Sequence, residues 1–467
     1  MRQRGVGGTR LGRLVIISNR VALAEKGKQA GGGLVTGILD ALREIGGIWF
    51  GWSGETAGKR SAGPKITEAD GVTYATVDLT REDYDGYYNG FCNAALWPLF
   101  HYRLDLVGFT RRDFAAYQRV NALLADQLAP MLLPDDLVWV HDYHLIPMAE
   151  NLRRAGAKQR IGFFLHTPFP SFGVLAVLPH YKSLLESLCA YDLVGFQTID
   201  DLTAFHDAIV RGASGEVLSD GRVRAFGRTI RAGVFPIGVD TEAIAEMAGP
   251  AVKSRTLRRF EESLRDRQLI IGVDRLDYSK GLEHRFRAFA SFLERYPENR
   301  GQVRFLQIAT ATRGNVPEYR ALRQRLGALA GDIDGRFSDL DWTPIQYLNR
   351  SFAQRTLFGF FRLSRVALVT PLRDGMNLVA KEYVAAQDPS DPGVLILSPF
   401  AGAAHELTSA VIANPYDPDA VAEALQTAMQ MPLEERCERW WAMMEVLHRN
   451  NVTAWRESFL RALDQKN

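Results

Sequence analysis

Cysteine is scarce in this chain. Only Cys92, Cys189 and Cys437 occur in 467 residues, far apart and never as CxxC. That excludes a disulfide scaffold and a zinc ribbon, and it points to a reducing, cytoplasmic location. Charge of one sign is equally lacking: 56 Lys and Arg stand against 54 Asp and Glu, a formal net charge of +2. Such a balance offers no electrostatic footprint for nucleic acid or an anionic membrane surface, and neither is expected as a partner. No long uncharged run qualifies as a membrane helix, because the least charged one, Ile161 to Pro179, contains Pro168, Pro170 and Pro179. The start, MRQRGVGGTRLGR, is basic and glycine-rich without the apolar core of a signal peptide, so residues 1–13 read as a loose tail. Repeats of solenoid period are absent, and the glycines at 31–33 do not form GxGxxG, so a dinucleotide cofactor is not expected.

What the chain does have is a globular composition, 46% hydrophobic and 24% charged, and a length that calls for more than one ordinary core. Apolar strand-like runs alternate with helical periodicity. LVIIS (14–18), GIWFGW (47–52), LVWVH (137–141), RIGFFLH (160–166) and DLVGFQ (192–197) fill the chain to about residue 235. The pattern then restarts with LIIGVD (269–274), a helix around Glu283–Tyr296, VRFLQIA (303–309), a helix around Val316–Leu329, VALVT (366–370) and VLILS (394–398). Such alternation implies an α/β fold with parallel, doubly wound sheets, and two successive series imply two Rossmann-like domains facing a cleft. With the junction near Pro236–Thr241, the expected domains are 14–237 and 238–467, the last helix packing back on the first domain. After the first strand a glycine-rich loop and a helix to about Glu44 are expected, and the segment Asp78–Trp97 reads as irregular and aromatic. From about Leu433 onward the chain reads as helical.

One stretch organises the second series. Val366–Ser398 reads as strand, tight loop PLRDGMN, helix from near Leu378, a short connection and a strand. A helix N-terminus leaves backbone N–H groups unpaired and carries partial positive charge, so it suits an anion, here a phosphate. Glu382 lies one turn further in, about 6 Å along the axis, where a carboxylate would meet hydroxyls of the sugar attached to that phosphate. On this stretch alone, an ordinary connection with Glu382 solvated stays open.

Open parallel sheets bind ligands beyond the carboxyl ends of their strands. Those ends carry Asn19 and Arg20, Asp142, His166, Arg275 with Lys280, Arg313 and Asp374 in turn. A single such residue is usually a surface group; six strand ends in succession point to a polar ligand. Arg275 and Lys280 in VDRLDYSKG, with Arg313 in ATATRGN, would neutralise a diphosphate without a metal, the alternative being an Arg275–Asp277 pair. Gly32 and Gly33 would allow close backbone approach to a ligand, although flexible loops also use GGG. His141 and His144 have a spacing that invites a metal, yet no further cluster completes a site, so no metal is expected and His141 reads as a hydrogen-bonded core residue. His166 precedes TPFP, whose prolines stiffen the loop, and it reads as a ligand contact at the strand end beside Asp142's.

The motifs IISNR, GGIWFGWSGE, ALWPLFHYRLD, HDYHLIP, IGFFLHTPFP, RLDYSKG, TPLRDGMNLVAKEYVAAQ and FAGAAHEL run from about Leu14 to about Leu463. Together they resemble the trehalose-6-phosphate synthases, a family of retaining glycosyltransferases with the two-Rossmann arrangement called GT-B. The resemblance implies transfer of glucose from a nucleoside diphosphate glucose, usually UDP-glucose, to glucose 6-phosphate, forming α,α-trehalose 6-phosphate. It implies Arg275, Lys280, Leu378 and Val379 on the donor diphosphate and Glu382 on the ribose. Asp142, His166, Asp374, Gly375, Met376 and Asn377 would hold the donor glucose, with Gly32, Gly33 and Phe352 completing the donor set. Arg20, Tyr88, Trp97 and Arg313 would hold the acceptor, guanidinium forks on its phosphate and aromatic faces on its ring.

The catalytic set implied is Arg275, Lys280, Asp142, His166 and Asp374, acting on one face of the sugar with no metal or cofactor. Self-association and a trehalose-6-phosphate phosphatase as pathway partner are further expectations of the resemblance, and domain closure on donor binding is expected because the ligands divide between the two halves. The chain departs from the family pattern at Asp274, often Glu, at Asp341, often Gly, and in GGG for a shorter AGG. These leave the donor base open between uracil and guanine. A sister synthase using glycerol 3-phosphate or a cyclitol phosphate, and a silent nucleotide-sugar sensor, are the rival readings.

Overall fold

The computed structural model describes residues 12–21, 39, 42–43, 46–312 and 317–465. The chain divides into two compact units, one comprising Met1–Phe235 with Arg456–Asn467 and the other Pro236–Trp455.

In the first unit, β1 (Leu14–Arg20), β2 (Gly47–Ala57), β3 (Lys65–Ala69), β4 (Val72–Thr80), β5 (Leu137–His141), β6 (Arg160–Phe164), β7 (Leu193–Phe196), β8 (Glu216–Val217), β9 (Val223–Ala225) and β10 (Arg228–Val234) form one sheet. Its order is β3-β4-β2-β1-β5-β6-β7-β10-β9-β8. The central pairs run parallel, while β3 on β4, β9 on β10 and β8 on β9 run antiparallel. Parallel strands buried on both faces need continuous apolar runs, and Leu14–Ile17 of β1 are at most 1% exposed. The edge strands lack that signal: KITEA of β3 is nearly all exposed, so nothing in its residues announces a strand. Gly162 and Gly195 leave room on the sheet face for Phe459, whose ring stacks on Trp139 at 4.7 Å.

The segment expected to be irregular, Asp78–Trp97, is ordered instead. After β4 a short helix Arg81–Tyr84, capped by Thr80, leads into a wide π-wound helix Asp85–Leu96 and another short helix Trp97–Phe100. A π-helix does not repeat every 3.6 residues, so the periodicity by which a helix is read disappears. Gly86 and Gly90 let it lie against Ala116 and Asp113 of the helix Arg111–Leu128.

In the second unit, β11 (Gln268–Arg275), β12 (Val303–Thr310), β13 (Ile345–Leu348), β14 (Val366–Val369), β15 (Val394–Leu397) and β16 (Val411–Ile412) form a parallel sheet. Its order is β13-β12-β11-β14-β15-β16. The order reverses at β11, as in doubly wound sheets whose ligands lie beyond the strand ends. Helices Leu282–Arg295 and Pro317–Phe337 follow β11 and β12. The second runs past the end read from sequence, through Gly331 and Gly335, which a helix interior tolerates at a modest cost. The closing stretch is two helices, Leu433–Arg449 and Val452–Asp464. Among the described residues no helix is long and apolar enough to cross a membrane. Each unit is thus an α/β parallel-sheet body, as the alternation of the sequence requires.

Candidate active site

The loop after β14 is shaped by close backbone contact. Asp374 bridges to Ala401, its N–H donating to the Phe400 carbonyl at 3.0 Å and its own carbonyl accepting from the Gly402 N–H at 3.2 Å. Any side chain at Gly402 would run into the Gly375 carbonyl, so glycine alone permits this approach. Asn377 then turns the chain with φ +73°, accepts the Ala380 N–H at 3.3 Å and starts the helix Leu378–Ala386. Its amide also donates to Asp374 Oδ2 at 2.9 Å. Leu378 and Val379 stand at the first two positions of this helix, half-buried, where backbone N–H groups have no partner within the helix.

Lys280 reaches the same carboxylate from another strand. Its ammonium lies 2.5 Å from Asp374 Oδ2, and the residue is only 8% exposed. The loop carrying it is held by Asp277, fully buried, which accepts from the Ser279 N–H and Oγ at 3.0 and 2.9 Å and from the Tyr319 hydroxyl at 3.1 Å. Beneath it, Arg285 donates to Asp274 at 2.7 Å, to Gln307 at 2.9 Å and to Thr370 at 3.0 Å, tying β11 and β12 to the residue that follows β14. Burial raises the Asp274 carboxyl above its usual range, against the opposing pull of Arg285. The departure from the family pattern at Asp274 is therefore a structural ion pair. The second departure, Asp341, pairs with Arg265 and Arg267 near the surface.

Arg285 was missed from sequence, although a signal existed: it falls on the apolar face Leu282, Phe286, Phe289 and Leu293 of its helix, where an arginine must be paired. Arg275 ends β11 and is exposed. Phe352 lies half-buried, its ring edge-on to Phe360 at 5.4 Å with the Arg350 guanidinium 4.7 Å above it. Glu382 is half-buried and has no hydrogen-bond partner among the described residues, and burial lifts its carboxyl to about 7. Its neighbour Lys381 points elsewhere, fully buried, donating to the Ile237 carbonyl at 2.7 Å and to Glu406 at 2.5 Å.

In the first unit the ends of β5 and β6 converge. Asp142 adopts φ +76°, ψ 164°, a region that non-glycine residues avoid, and its Oδ1 accepts the His166 N–H at 3.2 Å. His141, 1% exposed, places Nδ1 3.0 Å from His166 Nε2. Burial pushes His166 down to about 3 and holds His141 well below the ordinary histidine range, so both rings are neutral. His141 is thus the hydrogen-bonded core residue expected, and its partner is His166, the residue expected to contact the ligand. Tyr88 is half-buried in an aromatic cluster with His144 at 5.9 Å, Tyr84 at 5.5 Å and Trp52 at 5.8 Å. The buried Asn93 joins this cluster to the next, donating to the Tyr88 carbonyl at 2.8 Å and accepting from the Tyr143 hydroxyl at 3.1 Å. Trp97, 6% exposed, packs on Tyr143 at 5.8 Å. Arg20 ends β1 with its guanidinium laid across Gly54. Gly32, Gly33 and Arg313 lie outside the described residues.

Chemically, one unit offers a carboxylate gripped by an ammonium and an amide at a helix N-terminus, which suits a phosphorylated sugar. The other offers a neutral histidine pair, a strained aspartate and aromatic faces. Known proteins are similar to this chain over nearly its whole length. The trehalose-6-phosphate synthase of Cronobacter sakazakii is 51% identical over 456 residues, 97% of this chain and 96% of that protein. The crystal structure of a UDP-forming α,α-trehalose-phosphate synthase from Burkholderia xenovorans in complex with glucose-6-phosphate matches with a TM-score of 0.94 and 53% identity, covering 97% of this chain and 100% of that one. An E. coli structure bound with UDP-2-fluoro glucose matches with a TM-score of 0.94 and 49% identity, covering 98% of this chain and 100% of that one. Residues 13–465 match glycosyltransferase family 20, and the chain belongs to that family.

Proposed function

We propose that this chain transfers glucose from UDP-glucose to glucose 6-phosphate, forming α,α-trehalose 6-phosphate with retention at the donor carbon. The observation that carries this reading is the Lys280–Asp374–Asn377 cluster at the start of the helix Leu378–Ala386. Glu382, one turn in, offers a carboxyl to the ribose, while Leu378 and Val379 offer N–H groups to the diphosphate. Arg275 and Lys280 take up the negative charge that grows on the diphosphate as its bond to the glucose C1 breaks. Asp374, the backbone of Gly375 and Met376, Asn377, Asp142 and His166 orient the donor glucose, with Phe352, Gly32 and Gly33 bordering the donor. Arg20 and Arg313 bind the acceptor phosphate, and Tyr88 and Trp97 face its ring.

In the step itself, the acceptor C1 hydroxyl oxygen bonds to the donor C1 on the face the diphosphate leaves, and its proton passes to a diphosphate oxygen. UDP departs, and no metal or cofactor is needed to balance the reaction. The first unit acts as the acceptor domain and the second as the nucleotide-sugar domain. The enzyme works in the cytoplasm as a self-associated assembly, and a phosphatase consumes its phosphorylated product. A coupled assay of nucleoside diphosphate release over a matrix of donors and acceptors tests this. UDP release is expected with UDP-glucose and glucose 6-phosphate. Release only with glycerol 3-phosphate or a cyclitol phosphate would assign a sister synthase, and no release with any pair would assign a sensor.

A further inference from the structure

His166 is held from two sides by two consecutive residues of one strand end. Asp142 accepts its backbone N–H at 3.2 Å, and His141 meets its ring, Nδ1 to Nε2, at 3.0 Å. The two rings lie close to parallel, 23° apart with centroids at 5.3 Å. His141 has no rotational slack: it is 1% exposed, closes the register of β5 against β6 at Phe164, and packs on Trp139 at 4.5 Å. The backbone turn that brings Asp142 under His166 is itself pinned, with the Asp142 N–H donating to the Phe164 carbonyl at 2.8 Å and the Leu145 N–H to the Asp142 carbonyl at 3.0 Å.

We infer that His141 is a positioning residue that selects the tautomer of His166, and so decides whether the second ring nitrogen of His166 donates or accepts a hydrogen bond. Two neutral imidazoles facing through Nδ1 and Nε2 at this distance hold one proton between them: two N–H groups would clash, and two bare lone pairs would repel. The proton on one ring therefore dictates the form of the other. Because the His141 ring is held in the core, the contact persists, and the form His141 takes sets the hydrogen-bonding character that His166 presents to a sugar hydroxyl. The grip on the backbone N–H by Asp142 fixes where the ring stands; the grip by His141 fixes what it offers. The consequence for turnover rests on the reading of His166 as a donor-sugar contact; the tautomer selection itself does not.

The test compares the full-length protein with His141→Asn, His141→Phe and His166→Ala. Asparagine places an amide near the position of Nδ1, so it keeps the contact, whereas phenylalanine keeps the volume and loses it. With 15N-labelled histidine, the His166 ring is expected to show a single tautomer in the unaltered protein and in His141→Asn, and a mixture in His141→Phe. Turnover of His141→Phe should fall about tenfold, the cost of one hydrogen bond to a reacting sugar, with the acceptor KM unchanged and activity restored in His141→Asn. An unchanged His166 tautomer in His141→Phe would overturn the inference. If the tautomer shifts while His166→Ala turns over like the unaltered protein, selection by His141 stands and the assignment of His166 to the donor sugar fails.

Discussion

Lys280 and Asp374, 94 residues apart, meet at 2.5 Å, and the same Asp374 oxygen also accepts from Asn377. The cation proposed for the donor diphosphate is therefore held in place by the residue proposed for the donor glucose. Such pre-organisation removes the ordering cost that a flexible lysine would bring to the transition state.

Lys280→Ala removes the positive charge while Asn377 and the helix start continue to hold Asp374. Turnover should fall about 100-fold or more, the scale of losing one charge-stabilising donor. The far-ultraviolet circular dichroism and the melting curve should stay close to those of the unaltered protein. Steady-state kinetics would detect the opposite result, full activity, which would remove Lys280 from the mechanism.

Gly402→Ala puts a methyl into the Gly375 carbonyl and must move the loop Asp374–Asn377. Donor affinity should weaken markedly while acceptor binding to the first unit is kept. Titration calorimetry with UDP and, separately, glucose 6-phosphate measures the two; equal losses would show that the loop is not specific to the donor.

Glu382 retains its proton in the folded chain up to about 7 because its carboxyl is buried. An unfolded carboxyl titrates near ~4.3, so the stability linked to this group is complete below that value and is lost as pH rises through about 7. Glu382→Gln should flatten that part of the stability profile. Ribose hydroxyls favour the ionised acceptor, so donor binding near pH 6.5 should release a proton, read by calorimetry in buffers of different ionisation enthalpy.

The histidine pair acts on the acid side. His141 and His166 are both held neutral by burial, His166 down to about 3. The unfolded chain takes up those protons below about 6.5, so the linked stability is present above that pH and declines as pH falls toward about 3. Melting temperatures should drop between pH 7 and pH 5, and the drop should shrink in a His141→Phe, His166→Phe double variant.

The sequence by itself determined the elements and their order. Buried parallel strands must be continuous apolar runs, and LVIIS, LVWVH and VALVT are visible as such; the loop before Leu378 is marked by Gly375 and Asn377 within a few residues of a helix start. It also placed polar groups at the strand ends, because alternation of strand and helix already says where ligands lie. What only the tertiary structure decided is everything that depends on distant neighbours. The π-wound Asp85–Leu96 helix, the buried Arg285 tie and the Lys280–Asp374 pair come from packing between segments far apart in the chain. The protonation of Glu382, His141 and His166 follows from burial. Residue type sets which charges a side chain can carry; the fold, by removing water, sets which one it does.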